Sequence, residues 1–194
     1  MRNKKKKPMP SKTAPHRNHP TPQETLFLKE SNLIEKEPSE QAFDDAVSAW
    51  SYAKKFVTMD LTTQHVMEMH RILMKRLNPR IAGRLRDCDV FIGGRHCKKE
   101  SAPKLRAKID FVVQTINDWR TASPPTGVKK VDDTLREHLA KSLHVRFEEI
   151  HPFEDGNGRV GRILLNVHRL KMGLPLLVID SETRFTDYYP WFDR

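Results

Sequence analysis

Apolar residues recur at helical spacing along most of the chain beyond its first twenty residues. Phe43, Ala46, Val47 and Trp50 form one face of a predicted helix, and Ser39 precedes them in the position of an N-cap. Other segments show the same three- and four-residue periodicity and are also predicted to be helical: 24–36, 61–73, 111–119, 135–150 and 158–173. The chain is therefore expected to be mainly α-helical.

Two features mark the helices of the second half. Four apolar residues are spaced four apart and predict a buried stripe: Leu135, Leu139, Leu143 and Phe147. The sequence Ser-Pro-Pro-Thr-Gly at 123–127 predicts a break before that stripe, because proline and glycine interrupt helical backbone.

One segment departs from the helical period. Residues 90–92 (Val-Phe-Ile) precede Gly93-Gly94, which predicts a strand and a tight turn, and thus a small β-hairpin. A turn at these glycines places Val90, not Cys88, opposite Cys97. A disulfide is then out of register, and two cysteines cannot complete a zinc site, so reduced thiols and a cytoplasmic location are expected.

Length and charge narrow the class of protein. The chain has 194 residues, enough for one domain with its own core. Its net charge is +10, and residues 1–20 supply +7 of it because they contain seven lysines and arginines and no acid. This basic tail is expected to be disordered, and nucleic-acid binding is not expected beyond it. The longest apolar run, 174–179, is too short to cross a bilayer, and no secretory signal is expected.

The twelve residues 151–162, His-Pro-Phe-Glu-Asp-Gly-Asn-Gly-Arg-Val-Gly-Arg, lie between the last two predicted helices. Their glycines let the backbone turn sharply and present N–H groups to an anion, and the following helix adds its positive dipole end. Arg159 and Arg162 share one face of that helix, within reach of neighbouring phosphates. Asp155 is suited to a Mg²⁺ that bridges phosphates, and His151 to accepting a proton near neutral pH.

Each of these features has an ordinary explanation: a buried histidine, a surface turn or a solvated pair of arginines. Their combination within twelve residues favours a phosphate-binding site with a base beside it. The segment lacks the Gly-Lys-Ser/Thr ending of a P-loop, so an ordinary ATPase fits poorly.

The same segment resembles the signature of the Fic (filamentation induced by cAMP) family, His-x-Phe-x-Asp/Glu-Gly-Asn-Gly-Arg-x-x-Arg, at every specified position. The resemblance extends over roughly 25–192. It includes 61–70, which is similar to an early helix of the family, 83–94, which is similar to its β-hairpin flap, and 184–189, which is similar to its Arg…Tyr-Tyr stretch. The resemblance implies a Fic-type helical bundle with one β-hairpin flap.

Family members mostly transfer AMP from ATP to a Ser, Thr or Tyr hydroxyl of a target protein and release pyrophosphate. The resemblance therefore implies ATP and Mg²⁺ as cofactors and His151 as the base that deprotonates the target hydroxyl. Asp155 would hold Mg²⁺, and Phe153 would pack in the core. The residues implied to contact the nucleotide around the signature are Asp155, Gly156, Asn157, Gly158, Arg159, Val160, Gly161 and Arg162, with Arg162 at the γ-phosphate.

The resemblance also implies roles for the hairpin and for one aromatic residue. Ile92, Gly93, Gly94 and Arg95 would lie near the nucleotide or the target, whose extended segment would pair with an exposed strand. A plain structural hairpin is the alternative. Tyr188 is similar to a tyrosine that packs on the adenine side, or else it is a C-terminal core residue.

Gly158 bears on which group is transferred. In the Doc branch of the family, which phosphorylates, a lysine stands in place of this glycine and fills the space of the outer phosphates. Glycine leaves that space open, so transfer of AMP is favoured over transfer of phosphate.

A regulatory element is implied near the start of the chain. Ser31-Asn32-Leu33-Ile34-Glu35 resembles the family's inhibitory helix motif, Ser/Thr-x-x-x-Glu-Gly/Asn, although Lys36 stands where Gly or Asn is usual. Ser31 and Glu35 share one helical face. By resemblance, Glu35 would pair with Arg162 and obstruct the γ-phosphate.

The expected organisation is a tail over 1–22, an inhibitory helix segment over 23–38 and a Fic domain over 39–194. The partner is a target protein hydroxyl, with self-modification as a further outcome. Alternatives stay open: removal of AMP from a modified target, another nucleotide or phosphoryl transfer, a non-catalytic ATP-binding module, or a nucleic-acid-binding protein with a basic tail.

Overall fold

The computed structural model describes residues 19–121 and 133–193, and it confirms a mainly α-helical fold with one β-hairpin. The helices are α1 (Pro22–Ile34), α2 (Glu40–Ala53), α3 (Thr63–Met74), α4 (Ala102–Thr121), α5 (Asp133–Ile150), α6 (Asn157–Lys171) and α7 (Arg184–Asp187). The strands are β1 (Val90–Ile92) and β2 (Arg95–Cys97), and 3-10 turns occur at Lys54–Val57 and Tyr189–Phe192.

The helix starts follow from local capping. The Ser39 side chain accepts a hydrogen bond from the Ala42 N–H, as an N-cap does. Thr21 and Glu24 form a capping box at α1, with Pro22 in the first turn, where its missing N–H costs nothing. Capping by Thr62 starts α3 at the expected place.

The main core forms where α2, α3, α4, α5 and α6 pack together. Its fully buried members include Trp50, Met69, Leu105, Phe147 and Val160. In the part of the chain that the structure describes, no helix is long and apolar enough to cross a membrane.

The predicted stripe along α5 is wrong in its first half. Leu143 and Phe147 are buried, but Leu135 is 50% exposed and Leu139 38%. A residue advances about 100° around a helix, so each step of four adds about 40° and three steps carry the stripe about 120° around α5. A strict four-residue repeat therefore cannot stay on one buried face. The predicted break at 123–127 lies outside the described residues.

The hairpin forms with the predicted register. Val90 pairs with Cys97, Phe91 with His96 and Ile92 with Arg95, and both cysteines are free thiols. Gly93 and Gly94 have φ angles of 55° and 81°, as a two-residue hairpin turn with two left-handed residues requires.

Candidate active site

The loop between α5 and α6 is held in shape by one asparagine. The Asn157 side chain accepts a hydrogen bond from the Phe153 N–H and donates one to the Phe153 carbonyl, both at 2.9 Å. Gly156 lies between them with a φ of 79° and begins α6 without a side-chain cap. The first N–H groups of α6 therefore have no helical partner, which is the usual basis of an anion site. Because its amide closes the loop, Asn157 is left with its backbone N–H for an anion.

A buried histidine supports the loop from below. The His70 ring stacks on Phe153 with centroids 3.8 Å apart. Its Nδ1 accepts the Gly83 N–H at 3.0 Å, so Nε2 carries the proton and donates to the Asp155 carbonyl at 2.9 Å. Burial lowers the pKa of His70 to about 4, so the ring is neutral. Phe153 itself is fully buried, as the resemblance implied.

His151 lies at the first position of the loop and is partly buried. Its Nδ1 contacts the Glu148 carbonyl at 3.2 Å, and since a carbonyl only accepts, Nδ1 donates and Nε2 keeps its lone pair. Burial lowers the pKa of His151, with a smaller contribution from the charge of Arg86. The ring is thus a neutral group with a free acceptor nitrogen near neutral pH, which a general base requires.

Two further charged residues of the signature, Asp155 and Arg159, differ in their surroundings. Asp155 is exposed, and its Oδ1 accepts the Gly156 N–H at 2.6 Å. Arg159 is 3% exposed, and its Nη2 lies 3.2 Å from the Met74 sulfur. Its Nε and Nη1 are buried without a partner among the described residues. A buried cation without an acceptor is costly, so Arg159 fits a site that receives an anion.

Arg162 joins the site to α1. It is buried, and it donates from Nε to the Ser31 hydroxyl and from Nη2 to the Ser31 carbonyl, both at 2.9 Å. Its Nη2 also donates to Glu35 Oε1 at 2.6 Å. The structure therefore brings Ser31, Glu35 and Arg162 together.

The space above Gly158 is not open in this structure. A Cβ built on Gly158 would overlap the Glu35 carboxylate and lie 3.0 Å from Arg162 Nη1. The absence of a side chain at 158 does leave room, as expected, but Glu35 fills it from α1.

Lys36 adopts an unusual backbone conformation at the C-terminus of α1. Lys36 has a φ of 59°, a conformation that glycine and asparagine adopt more easily than other residues. The Lys36 N–H bonds the Leu33 carbonyl and the Glu37 N–H bonds the Asn32 carbonyl, which forms a Schellman motif. A lysine therefore holds the backbone turn for which Gly or Asn is better suited.

Tyr188 lies in a second hydrophobic cluster, beside Ile34 and Leu165. It is 3% exposed, its hydroxyl oxygen accepts from Arg162 Nη1 at 3.3 Å, and it contacts His144 Nε2 at 2.8 Å. Of the two alternatives from the sequence, this placement favours a core residue whose hydroxyl supports Arg162.

The remaining predicted site residues lie at two places. Ile92, Gly93, Gly94 and Arg95 form the tip of the hairpin, where all but the half-buried Ile92 are exposed. Val160 is fully buried in the main core. Gly161 packs closely against α5, since a Cβ there would overlap the Glu148 carboxylate. Val160 and Gly161 are thus packing positions beside the anion site.

Three supporting residues were not singled out from the sequence. His70 and Glu148 are polar residues within apolar helix patterns, and Arg86 is one of two arginines in Gly-Arg-Leu-Arg at 83–86. Burial raises the pKa of Glu148 to about 8, against the opposing charge of Arg162, which favours a neutral carboxyl behind the site. A polar residue in an apolar helix pattern was the available signal for two of them. Nothing in the sequence separates Arg86 from Arg84.

The residues suited to Mg²⁺ are few, as is common for this ion. Within 19–121 and 133–193, no three His, Cys, Asp or Glu side chains form a group that could hold a metal. Mg²⁺ often binds through one or two carboxylates together with substrate phosphates. Asp155, exposed beside the start of α6, fits that manner of binding.

Family models and curated proteins show what the sequence of this chain is similar to. The model of the Fic/DOC family matches residues 60–168. Protein adenylyltransferase fic-1 of Caenorhabditis elegans is 30% identical over 130 residues, which cover 67% of this chain and 23% of that protein. Protein adenylyltransferase Fic of Nematostella vectensis is 28% identical over 134 residues, 69% of this chain and 28% of that protein. The chain thus matches about a quarter of the length of these curated relatives.

Solved structures show the same fold. A Fic domain-containing signaling protein from Bacteroides thetaiotaomicron superposes with a TM-score of 0.65 at 23% identity, covering 87% of this chain and 70% of that one. A fragment of Fic-1 from C. elegans superposes with a TM-score of 0.62 at 20% identity, covering 86% and 54%. The family match spans more than half of the chain, and the signature residues lie in the loop and the start of α6 described above, so this protein belongs to the Fic/DOC family.

Proposed function

We propose that this chain is a protein adenylyltransferase that moves AMP from ATP to a Ser, Thr or Tyr hydroxyl of a target protein. The observation that carries the proposal is the segment from His151 to Arg162, which comprises the loop and the start of α6. It puts a neutral histidine with a free Nε2 at one end. At the other end lie helix N–H groups and the buried Arg159, whose Nε and Nη1 have no partner among the described residues. The names of the similar adenylyltransferases support the same reaction.

The reaction uses His151 as general base. Its Nε2 accepts the proton of the target hydroxyl while the hydroxyl oxygen forms a bond to the α-phosphorus of ATP. The bond from that phosphorus to the oxygen bridging to the β-phosphate breaks, and pyrophosphate leaves with the electron pair. Such transfers depend mainly on positioning and charge neutralisation, which the N–H groups of α6 and Arg159 supply.

Asp155 is the residue that would hold Mg²⁺. When bound, this ion neutralises phosphate charge and orients the phosphates. The Asp155 carboxylate stays available because, among the described residues, its Oδ1 alone is engaged, by the neighbouring Gly156 N–H.

Glu35 keeps the protein inactive in this proposal. The γ-phosphate of ATP and the Glu35 carboxylate compete for Arg162 and for the space above Gly158. With Glu35 in place, the triphosphate cannot direct its α-phosphorus toward His151. Ser31 strengthens the arrangement through its two hydrogen bonds from Arg162.

The target is proposed to bind along the hairpin. In a two-residue hairpin the closing pair, Ile92 and Arg95, exchanges the hydrogen bonds, so the next pair directs its N–H and carbonyl groups outward. Phe91, in that pair, is 70% exposed. An extended target segment could therefore add a strand there and present its hydroxyl. The cytoplasmic location expected from the sequence stays a prediction.

The function is tested with ATP labelled at either the α- or the γ-phosphate, in the presence of Mg²⁺. Glu35→Gly is compared with Glu35→Gly/His151→Ala, and the wild type and Glu37→Gly serve as controls. We expect protein-bound α-label with Glu35→Gly and its loss when His151 is also replaced. Removing a general base costs on the order of 100- to 10,000-fold in rate.

The other outcomes separate the alternatives. Protein-bound γ-label without α-label would assign phosphate transfer instead. Release of AMP from labelled protein by the wild type, but not by Glu35→Gly, would assign removal of AMP. If neither label reaches protein while ATP still binds, a non-catalytic module is the better assignment.

A further inference from the structure

A buried arginine outside the signature connects the hairpin to the catalytic loop. Arg86 is 4% exposed and precedes β1 by four residues. Its Nη1 donates to the carbonyls of Cys88, before β1, and Lys98, after β2, both at 3.0 Å. One guanidinium thus joins both ends of the hairpin.

The same side chain reaches the backbone of the base. Arg86 Nε donates to the His151 carbonyl at 2.7 Å, and the Arg86 N–H donates to the Pro152 carbonyl at 2.9 Å. Two successive carbonyls of the signature are therefore held by one residue. Glu100 Oε1, 3.9 Å from Arg86 Nη2, provides the nearest negative charge.

His151 needs such support because its backbone is strained. Its φ of 45° lies in the left-handed region, which non-glycine residues avoid. Strained conformations persist where surrounding contacts enforce them, and they concentrate at functional sites. The bond from Arg86 to the His151 carbonyl is a contact of this kind.

The hairpin has few other attachments of its own. Of its six strand residues, Val90 alone is buried, and the tip is exposed. A short exposed hairpin is mobile unless side chains at its base hold it. The three carbonyl contacts of the Arg86 side chain therefore fix the hairpin where β1 and β2 meet the rest of the protein.

We propose that Arg86 is a positioning residue that fixes the β-hairpin and the backbone of His151 relative to each other. The inference rests on the proposed function, in which the hairpin binds the target segment that carries the acceptor hydroxyl and His151 takes the proton of that hydroxyl. Arg86 does not touch the reacting atoms; it keeps the two partners of the proton transfer at a constant separation. A misplacement of about 1 Å can cost on the order of 100-fold in rate.

Arg86 also affects the base through its charge. Around His151, Arg86 lowers the pKa while Glu35, Asp155 and the Glu148 carbonyl raise it, and burial is the largest influence. Replacing Arg86 by a neutral residue raises the pKa of His151, so the base becomes protonated at higher pH. Lysine preserves the charge but cannot donate to three carbonyls with a fixed planar geometry.

The experiment compares Arg86→Lys and Arg86→Gln, both in the Glu35→Gly protein. Arg84→Lys and Arg84→Gln are matched controls, because Arg84 is exposed and two residues away. Single-turnover incorporation of α-label is measured across acidic and neutral pH, together with the Kd for ATP. Hydrogen exchange of the hairpin amides, an NMR titration of His151 and thermal unfolding are measured on the same proteins.

We expect both Arg86 variants to bind ATP normally, to exchange faster in the hairpin and to transfer about 10- to 100-fold more slowly. Arg86→Gln should also shift the acid limb of the pH profile and the His151 titration to higher pH, whereas Arg86→Lys should leave both nearly unchanged. The Arg84 variants should match the parent.

Several results would overturn the inference. Folded Arg86 variants with parental transfer rates, or with unchanged hairpin exchange, contradict it. Unfolding of both variants also contradicts it, because Arg86 is then a structural residue. If the parent itself transfers no AMP, the proposed function fails, while hairpin exchange and the His151 titration still decide the inference.

Discussion

The end of α1 and the β-hairpin flank the same loop but contact it in different ways. Ser31 in α1 and Glu35 at its C-cap accept hydrogen bonds from the buried Arg162 side chain. The hairpin is mostly exposed, and its outer edge at Phe91 pairs with no other strand among the described residues. Arg162 therefore has its partners within the chain, whereas the hairpin side leaves hydrogen-bonding capacity for another molecule.

This difference indicates how the site can switch. Removing Glu35 leaves Arg162 with its hydrogen bonds to Ser31 and Tyr188 but without this carboxylate, and Glu35 is itself partly exposed, so the cost should lie below the roughly 3–5 kcal/mol of a fully buried pair. A phosphate that replaces Glu35 offers Arg162 an equivalent charge, so the exchange avoids most of that cost. In the proposed function, this is why the contact between Glu35 and Arg162 can block the site and still be replaced by the substrate.

The largest expected effect comes from adding a methyl group at Gly158, where the Glu35 carboxylate now lies. Gly158→Ala forces Glu35 from its place, and overpacking of this kind costs about 1–3 kcal/mol of unfolding free energy. In the Glu35→Gly protein the overlap with the carboxylate is gone and the 3.0 Å contact with Arg162 Nη1 remains, so the same substitution should lower the unfolding free energy clearly less. Denaturant unfolding of the wild type, Gly158→Ala, Glu35→Gly and the double variant gives the coupling free energy between the two substitutions. Additive effects would mean that Glu35 does not occupy this space in solution.

An intermediate effect is expected on the hairpin side. Phe91→Pro removes an outward N–H without disturbing the closing pair, and one lost hydrogen bond of about 1 kcal/mol lowers transfer roughly fivefold. Phe91→Ala keeps the N–H and should transfer normally. Both are measured as α-label incorporation in the Glu35→Gly protein. Equal losses in the two variants would assign the effect to the aromatic ring and not to strand pairing.

The smallest expected effect is at the end of α1. Lys36→Gly relieves a left-handed lysine, which stabilises the inhibitory conformation by up to about 1 kcal/mol. Compared with the wild type, Lys36→Gly should have a higher free energy of unfolding and a lower residual rate of transfer. Lys36→Ala, which keeps the strain, is the control. A higher free energy of unfolding for both substitutions would indicate that the lysine charge, not the backbone, limits the stability of α1.

Much of the site could be predicted because its chemistry is contiguous. The loop at 151–162 carries its base, its turn and its arginines within twelve residues, so spacing alone indicated an anion site. The register of Val90 with Cys97 followed from the turn glycines. The pairing of Glu35 with Arg162 came from resemblance, since no local pattern links residues so far apart in the chain.

What the sequence could not show depends on packing between distant segments. Arg86 differs from Arg84 only in burial, and the support of the loop by His70 requires α3 to pack against Phe153. Leu135 and Leu139 were expected to be buried because a four-residue repeat was treated as a straight stripe, although it rotates around the helix. Such errors arise where tertiary contacts decide which face is covered.

The central claim is that the contact between Glu35 and Arg162 controls the reaction. Its most direct test is the initial rate of α-label incorporation by the wild type, Glu35→Gly and the control Glu37→Gly, all shown to be folded. We expect Glu35→Gly to be faster than the wild type by at least about tenfold, equivalent to 1.4 kcal/mol, and Glu37→Gly to be unchanged. Equal rates for all three folded proteins would contradict it.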